Sequence, residues 1–364
     1  MTMRVAIACC GLEHVRRGFE SFSEELFGAL SGHADITLFK GSGKKKANEI
    51  VVPCLRRDFL EKFMSPERAF YWEQLTFAMA LVPYLMIMRI DILHYSEGNL
   101  GNALARFLRW TRSRTRLLQS NGGPLHPRHF RSEVFIHQVC DSGLTQALEY
   151  GIDPARMYLI PYGIAPERFN ARETRETVRA RLKLPLDKFI ILSLAALNKK
   201  HKRLDYLIKE VSSLHDDSIF LCMAGEPTDE TDEIRELAKN LLPGRHAFLT
   251  VPRVKIPELL NAADLFVLAS LYEGFGMVLI EACSAGVPVL CHNSERFRWI
   301  LGDAALYADM AMPGDLASNI QEVVGDMDVR SALCRRGRER VESTYSWKNL
   351  IPRYLDMYKD VINS

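Results

Sequence analysis

The chain has 364 residues, 48% hydrophobic and 25% charged, which fits roughly two globular domains and excludes a disordered tail, a collagen-like repeat or a small disulfide-stapled scaffold. With 47 basic and 45 acidic side chains, the net charge of +2 is too small for a surface that wraps a nucleic-acid backbone. The balance is uneven: residues 1–165 hold 20 Lys and Arg against 16 Asp and Glu, whereas residues 166–364 hold 27 against 29.

Arg4–Cys10 predicts a first strand, and its apolar run is too short for a signal peptide. A second strand, Asp35–Phe39, precedes Gly41-Ser42-Gly43-Lys44-Lys45-Lys46. That stretch lacks the phosphate-loop Gly, which falls on Leu38, and the Ser or Thr after Lys44, so it reads as a solvated turn. The longest uncharged window, Gln74–Met88, is interrupted by Pro83 and falls short of the ~20 apolar residues of a spanning helix. The expected location is therefore cytoplasmic.

Strands follow at Ile90–Tyr95, Arg116–Gln119, Val134–His137 and Met157–Ile160. A boundary is expected at Ile160-Pro161-Tyr162-Gly163, after which the charged segment Glu167–Lys183 begins. A second series comprises Phe189–Ala195, Ile219–Ala224, Ala247–Thr250, Leu265–Ala269, Val287–Cys291 and Ala305–Tyr307. Helical patterns lie between strands, among them Phe22–Leu30, Gly143–Tyr150, Arg203–Ser212, Glu230–Leu241, Val278–Ala285 and Leu316–Val324. Tyr345–Ile362 carries apolar residues at helical spacing. Strands alternating with helices predict parallel sheets with crossovers, hence an α/β chain of two doubly wound domains. The expected division is 1–165, 166–344 and a terminal helix 345–364.

Eight cysteines form no C-x-x-C pair, and neither H-E-x-x-H nor zinc spacing occurs. Asp326-Met327-Asp328 follows a helical pattern and reads as surface charge. No metal site and no cofactor are expected. The first strand lacks a G-x-G-x-x-G, which argues against a nicotinamide dehydrogenase.

The chemistry is concentrated in residues 262–282. A strand ends at Ala269, a turn carries Glu273-Gly274-Phe275-Gly276, and a helix starts near Gly276. The two glycines let backbone approach a ligand, and free N–H groups at a helix start favour an anion such as a diphosphate. Glu281 lies inside the helix among apolar neighbours, where an unpaired carboxylate is costly. It is placed to accept hydrogen bonds from a ribose diol.

Glu273-Gly274-Phe275-Gly276 with Glu281, flanked by Ala262-Ala263-Asp264 and Ala285-Gly286-Val287-Pro288-Val289, resembles the signature of retaining GT-B glycosyltransferases of family 4. Ile160-Pro161-Tyr162-Gly163 resembles the family's I-P-N-G, with Tyr162 for Asn. Arg17-Gly18-Phe19-Glu20 resembles its G-G-x-E, with Arg17 for the first Gly. The resemblance implies two Rossmann-like domains facing a central cleft, with the acceptor on the first domain and a nucleotide-sugar donor on the second. It also implies a terminal helix crossing back to the first domain.

Its implied roles are Glu281 on the ribose, and Glu273 with Gly274, Phe275, Gly276 and Met277 around the donor sugar. Lys202 would neutralise the diphosphate, Arg253 and Val254 would lie near the base, and Gly18 would line the donor side. The family's second cation falls on Leu197, leaving Lys199, Lys200 or Arg203 to supply it. The family's His near the sugar falls on Ser120 or Asn121, so Asn121, His126 and His94 are alternatives. Implied is transfer of a hexose, UDP-glucose first, to a glycan or lipid-linked acceptor. Alternatives are an epimerase or phosphorylase on the same fold, or a non-catalytic nucleotide-binding module. Arg106, Arg109, Arg112, Arg114 and Arg116, around Phe107, Leu108 and Trp110, read as a basic amphipathic element that could touch an anionic membrane, or as a solvated helix face.

Overall fold

The structure is a computed structural model that describes residues 3–14, 18–123 and 125–364; Arg17 lies outside them. The chain divides into two compact units, Met1–Gly163 with Trp347–Ser364, and Ile164–Ser346.

The first unit carries β1 (Arg4–Cys9), β2 (Asp35–Lys40), β3 (Glu49–Val51), β4 (Ile92–Tyr95), β5 (Arg116–Asn121), β6 (Phe135–Gln138) and β7 (Met157–Leu159). All pair in parallel, in the order β3-β2-β1-β4-β5-β6-β7. The second unit carries β8 (Phe189–Leu194), β9 (Ile219–Ala224), β10 (His246–Leu249), β11 (Leu265–Leu268), β12 (Val289–His292) and β13 (Leu306–Ala308). These are also parallel, in the order β10-β9-β8-β11-β12-β13. Strands β9 and β11 are buried throughout and β1 from Val5 onward, as sheets covered by helices on both faces require.

The structure departs from the sequence reading in three places. The three-residue β3 was not anticipated; too short for a visible period, it pairs Glu49 opposite Leu38. The helix Pro66–Ile87 runs through Pro83 rather than stopping there. Pro83 cannot donate to the Met79 carbonyl, and Met79 lies on the exposed side of the helix, where water can take that bond. Finally, the five arginines do not share one helix. The helix Gly98–Trp110 holds Arg106 and Arg109, the chain reverses at Arg112 with φ of 51°, and Arg116 opens β5.

The terminal helix Trp347–Asn363 is packed into the first unit by polar bonds as well as apolar ones. The Gly163 Cα faces the Trp347 ring so closely that a Cβ would stand 2.6 Å from it. Tyr354 donates to the Pro161 carbonyl at 3.1 Å, and Arg353 to the Leu159 carbonyl at 2.9 Å. Tyr162, standing where the resemblance has Asn, is buried and stacks on Phe22 with centroids 3.9 Å apart.

Beneath the helix runs a chain of buried rings. His137 Nε2 lies 2.7 Å from the Ile160 carbonyl, which can only accept, so that nitrogen carries the proton. His137 Nδ1 then accepts, with the Ser120 hydroxyl at 2.9 Å and His94 Nε2 at 3.2 Å facing it, and His94 Nδ1 accepts from the Tyr358 hydroxyl at 2.9 Å. Both imidazoles are neutral in this arrangement. Burial holds His94 well below the ordinary histidine range. Burial likewise takes His137 down to about 4, partly opposed by its bond to Ile160.

An unfolded histidine takes a proton near pH 6.5, whereas folded His137 stays neutral down to about 4. The unfolded chain thus binds more protons across that window, and stability present above it is lost as the pH falls. Urea unfolding followed by circular dichroism is expected to show a loss between pH 7 and pH 5 to which His137 alone contributes about 2 kcal/mol and His94 adds in the same direction. His137→Asn should lessen that slope; a wild-type stability constant over this range would contradict the network.

Candidate functional site

In the second sheet, strand order runs from β8 to β10 in one direction and from β11 to β13 in the other. The loops after β8 and β11 therefore part at the carboxyl edge, the place where open α/β sheets take ligands. Lys202 lies on the first loop and Glu273 on the second. Lys202 Nζ and Glu273 Oε1 are 2.5 Å apart, with both side chains largely buried.

Local geometry aims each group. Asn198 Oδ1 accepts the backbone N–H groups of His201 and Lys202 at 3.2 and 2.8 Å, closing the turn that presents Lys202. His201 Nε2 donates to the Tyr272 carbonyl at 3.0 Å, tying the two loops together. Arg296 donates to the carbonyls of Glu273 and Gly274 at 2.7 and 2.6 Å, and its guanidinium lies 4.6 Å from the Tyr272 ring centroid.

Gly276 adopts φ of 84°, a conformation side chains resist, and hands the chain to the helix Met277–Ala285. Phe275 and Met277 are buried on either side of it. No side chain caps this helix, so its first N–H groups are available to an anion. Glu281, buried within the same helix, has its Oε1 3.1 Å from Arg253 Nη2. Arg253 belongs to the single turn Arg253–Lys255 that follows β10, and Val254 beside it is exposed.

The second unit thus brings together Lys202, Glu273, Gly274, Phe275, Gly276 and Met277, and pairs Arg253 with Glu281. Arg203 does not join them. Its guanidinium donates to the Met310 carbonyl at 2.6 Å and lies over the Tyr206 ring at 4.5 Å. Asn198, His201 and Arg296 were missed in the sequence because nothing in their spacing marks them; only the fold brings them to Lys202 and Glu273. Asp326 caps the helix Met327–Thr344 by accepting from the N–H groups of Asp328 and Val329.

In the first unit, Gly18 opens the helix Gly18–Leu30 and is exposed. Asn121, at the end of β5, donates to Gln138 at 3.0 Å. His126 is exposed, accepts the Arg128 N–H at 3.2 Å and meets Tyr150 edge-on, so it caps a turn. His94, expected at an open strand end, is instead enclosed among Tyr358, His137 and Phe22. Its ring serves the packing of the terminal helix. Cys9, Glu20 and Glu97 bring one ligand atom each within 4.8 Å of one another, all three buried. Their wide sequence separation hid this group from the motif scan.

Residues 174–340 match the family described as glycosyl transferases group 1. Among curated relatives, the mannosylfructose-phosphate synthase of Agrobacterium fabrum is 29% identical over 246 residues, 61% of this chain and 54% of that protein. The O-antigen chain mannosyltransferase B of Escherichia coli is 36% identical over 109 residues, 30% of this chain and 28% of that protein. The chain spans about half the length, or less, of the first curated relatives it matches. Among solved structures, the sucrose-phosphate synthase of Thermosynechococcus elongatus superposes with a TM-score of 0.83 at 17% identity, covering 99% of both chains. Anabaena HepE in complex with UDP-glucose gives 0.77 at 15% identity, covering 98% of this chain and 99% of that one. The likeness to these structures fixes the fold as GT-B, and residues 174–340 match the family model described as glycosyl transferases group 1.

Proposed function

We propose that this protein is a retaining glycosyltransferase that moves a hexose from a nucleotide diphosphate sugar to a glycan or lipid-linked acceptor. The observation that carries the reading is the constellation at the strand reversal of the second sheet. There a lysine–glutamate pair, an uncapped helix start and a buried glutamate paired with an arginine converge.

In the reaction the bond between the anomeric carbon and the diphosphate oxygen breaks. A new bond forms to an acceptor hydroxyl on the same face of the sugar, and the hydroxyl proton passes to the departing diphosphate. Lys202 and the N–H groups at the start of the Met277–Ala285 helix stabilise the charge on the leaving group, an electrostatic contribution in a preorganised site. Glu273 orients the sugar once Lys202 turns to the diphosphate, and Glu281 accepts from the ribose hydroxyls. Lys202 and the helix start together take the place that a divalent metal would otherwise fill.

A thermal-shift panel of UDP, GDP and ADP sugars identifies the donor. UDP-glucose comes first, and a mannosyl donor stands beside it because several relatives are named as mannosyltransferases. Glu281→Ala removes charge-assisted hydrogen bonds worth about 2 kcal/mol, so the stabilising donor should bind about 30-fold more weakly. Stabilisation undiminished in that variant would remove Glu281 from the donor site.

Lys202→Ala should lower kcat by roughly 10²–10³-fold with acceptor present, while chelation by EDTA leaves the wild-type rate unchanged. Product analysis of the same reactions checks the reaction class. A sugar released to inorganic phosphate, or epimerised without an acceptor, would replace transfer as the activity.

A further inference from the structure

We propose that the amino-terminal edge of the first unit's sheet is a docking surface for an anionic phospholipid bilayer, on which the protein lies without spanning it. The helices Pro66–Ile87 and Gly98–Trp110 pack against each other and both end at this edge, each leading directly into a strand. Hydrogen bonds knit the two ends together. Thr115 donates to the Ile90 carbonyl at 2.9 Å, the Arg116 N–H to the Asp91 carbonyl at 2.7 Å, and the Arg4 guanidinium to the Met88 carbonyl at 3.0 Å.

The edge presents two kinds of side chain that a water-facing surface has little reason to combine. Ile87 is 81% exposed and Trp110 84% exposed, among the most exposed large apolar residues described. From Gln74 to Met88 there is no charged residue, and Trp72, Met79 and Met86, seven residues apart, stand exposed along one outward stripe of that helix. Around this apolar tip lie Arg89, Arg106, Arg109, Arg112, Arg114 and Arg116, all exposed and none ion-paired among the described residues. The nearby acids Asp91 and Asp35 are engaged by Arg4.

Charge complementarity selects the occupant. Six unpaired guanidinium groups call for a dense array of anions. The isoleucine, tryptophan and methionine side chains between them call for an apolar phase within a side chain's depth of those anions. An anionic bilayer offers both layers in that order, with aromatic and basic side chains at its interface. No helix among the described residues is long and apolar enough to cross a membrane, so the contact is interfacial. It involves none of the donor-site residues and stands whether or not the proposed transfer is correct.

The test is co-sedimentation of the full chain with vesicles of phosphatidylcholine alone or mixed with phosphatidylglycerol. The expected result is capture by the mixed vesicles only, weakened by salt, with a blue shift of tryptophan emission that is reduced in Trp110→Ser. Each basic group near an anionic surface contributes about fivefold to partitioning, so R109Q/R112Q/R114Q should lower it about a hundredfold. I87S/W110S should retain salt-sensitive capture with a markedly lower partition coefficient. Thermal melting of both variants, expected to be unchanged because every altered side chain is exposed, separates docking from folding. Equal behaviour towards the two vesicle types, or wild-type partitioning in R109Q/R112Q/R114Q, would overturn the proposal. So would a dimer in light scattering that I87S/W110S abolishes, which would assign the patch to a second copy of the chain.

Discussion

Parallel strands cannot be joined by tight hairpins, and this constraint organises everything else in the molecule. Each strand must return through a crossover, so its functional loops gather at one edge of the sheet. Where the order of strands reverses, neighbouring loops diverge and leave room for a ligand. In the second unit the reversal falls between β8 and β11. That is why a lysine at 202 and a glutamate at 273 meet at the same spot. In the first unit it falls between β1 and β4, where Cys9, Glu20 and Glu97 converge.

The charges at the strand reversal of the second sheet are held in balance. Glu281 is almost fully buried and Glu273 nearly so, and each has a cation within hydrogen-bonding distance. Removing such carboxylates from water without a partner would cost several kcal/mol per ion. The pairs supply that partner to each carboxylate in the absence of substrate. In the proposed function, a diphosphate arriving at Lys202 would replace one anion by another, and ribose hydroxyls would donate to Glu281.

Much of this was legible in the sequence because it is local. The run Glu273-Gly274-Phe275-Gly276 and Glu281 sit within one strand–turn–helix segment, so spacing alone places them on the turn and inside the helix. What stayed hidden depends on distant pairings. Tyr358 and His94 are 264 positions apart, and no periodicity in either segment announces a bond between them. His94 looked like a residue at an open strand end because the expected return of the terminal helix to the first domain does not say which strand end it covers. The helix Pro66–Ile87 was unreadable for another reason: apolar residues occupy all its faces, so no helical period stands out, and Pro83 suggested an interruption. The arginines between 106 and 116 gave a basic pattern without showing that the backbone reverses in their midst at Arg112.

The partners of the neighbouring cations decide how the diphosphate charge can be met. Where the resemblance places a second cation, this chain has Leu197, which is buried in the apolar core. Arg203 is spent on the Met310 carbonyl and the Tyr206 ring, and moving it would strip a carbonyl of its donor. Lys199 is paired with Glu233, and Lys200 is exposed with Glu230 as its nearest acid. Lys202 differs from all three because its partner, Glu273, lies on the turn that leads into the Met277–Ala285 helix. A diphosphate at that helix start would therefore compete directly for Lys202 and leave the other cations in place. The proposed chemistry thus rests on one positive charge, Lys202, supported by the backbone dipoles at the start of the Met277–Ala285 helix.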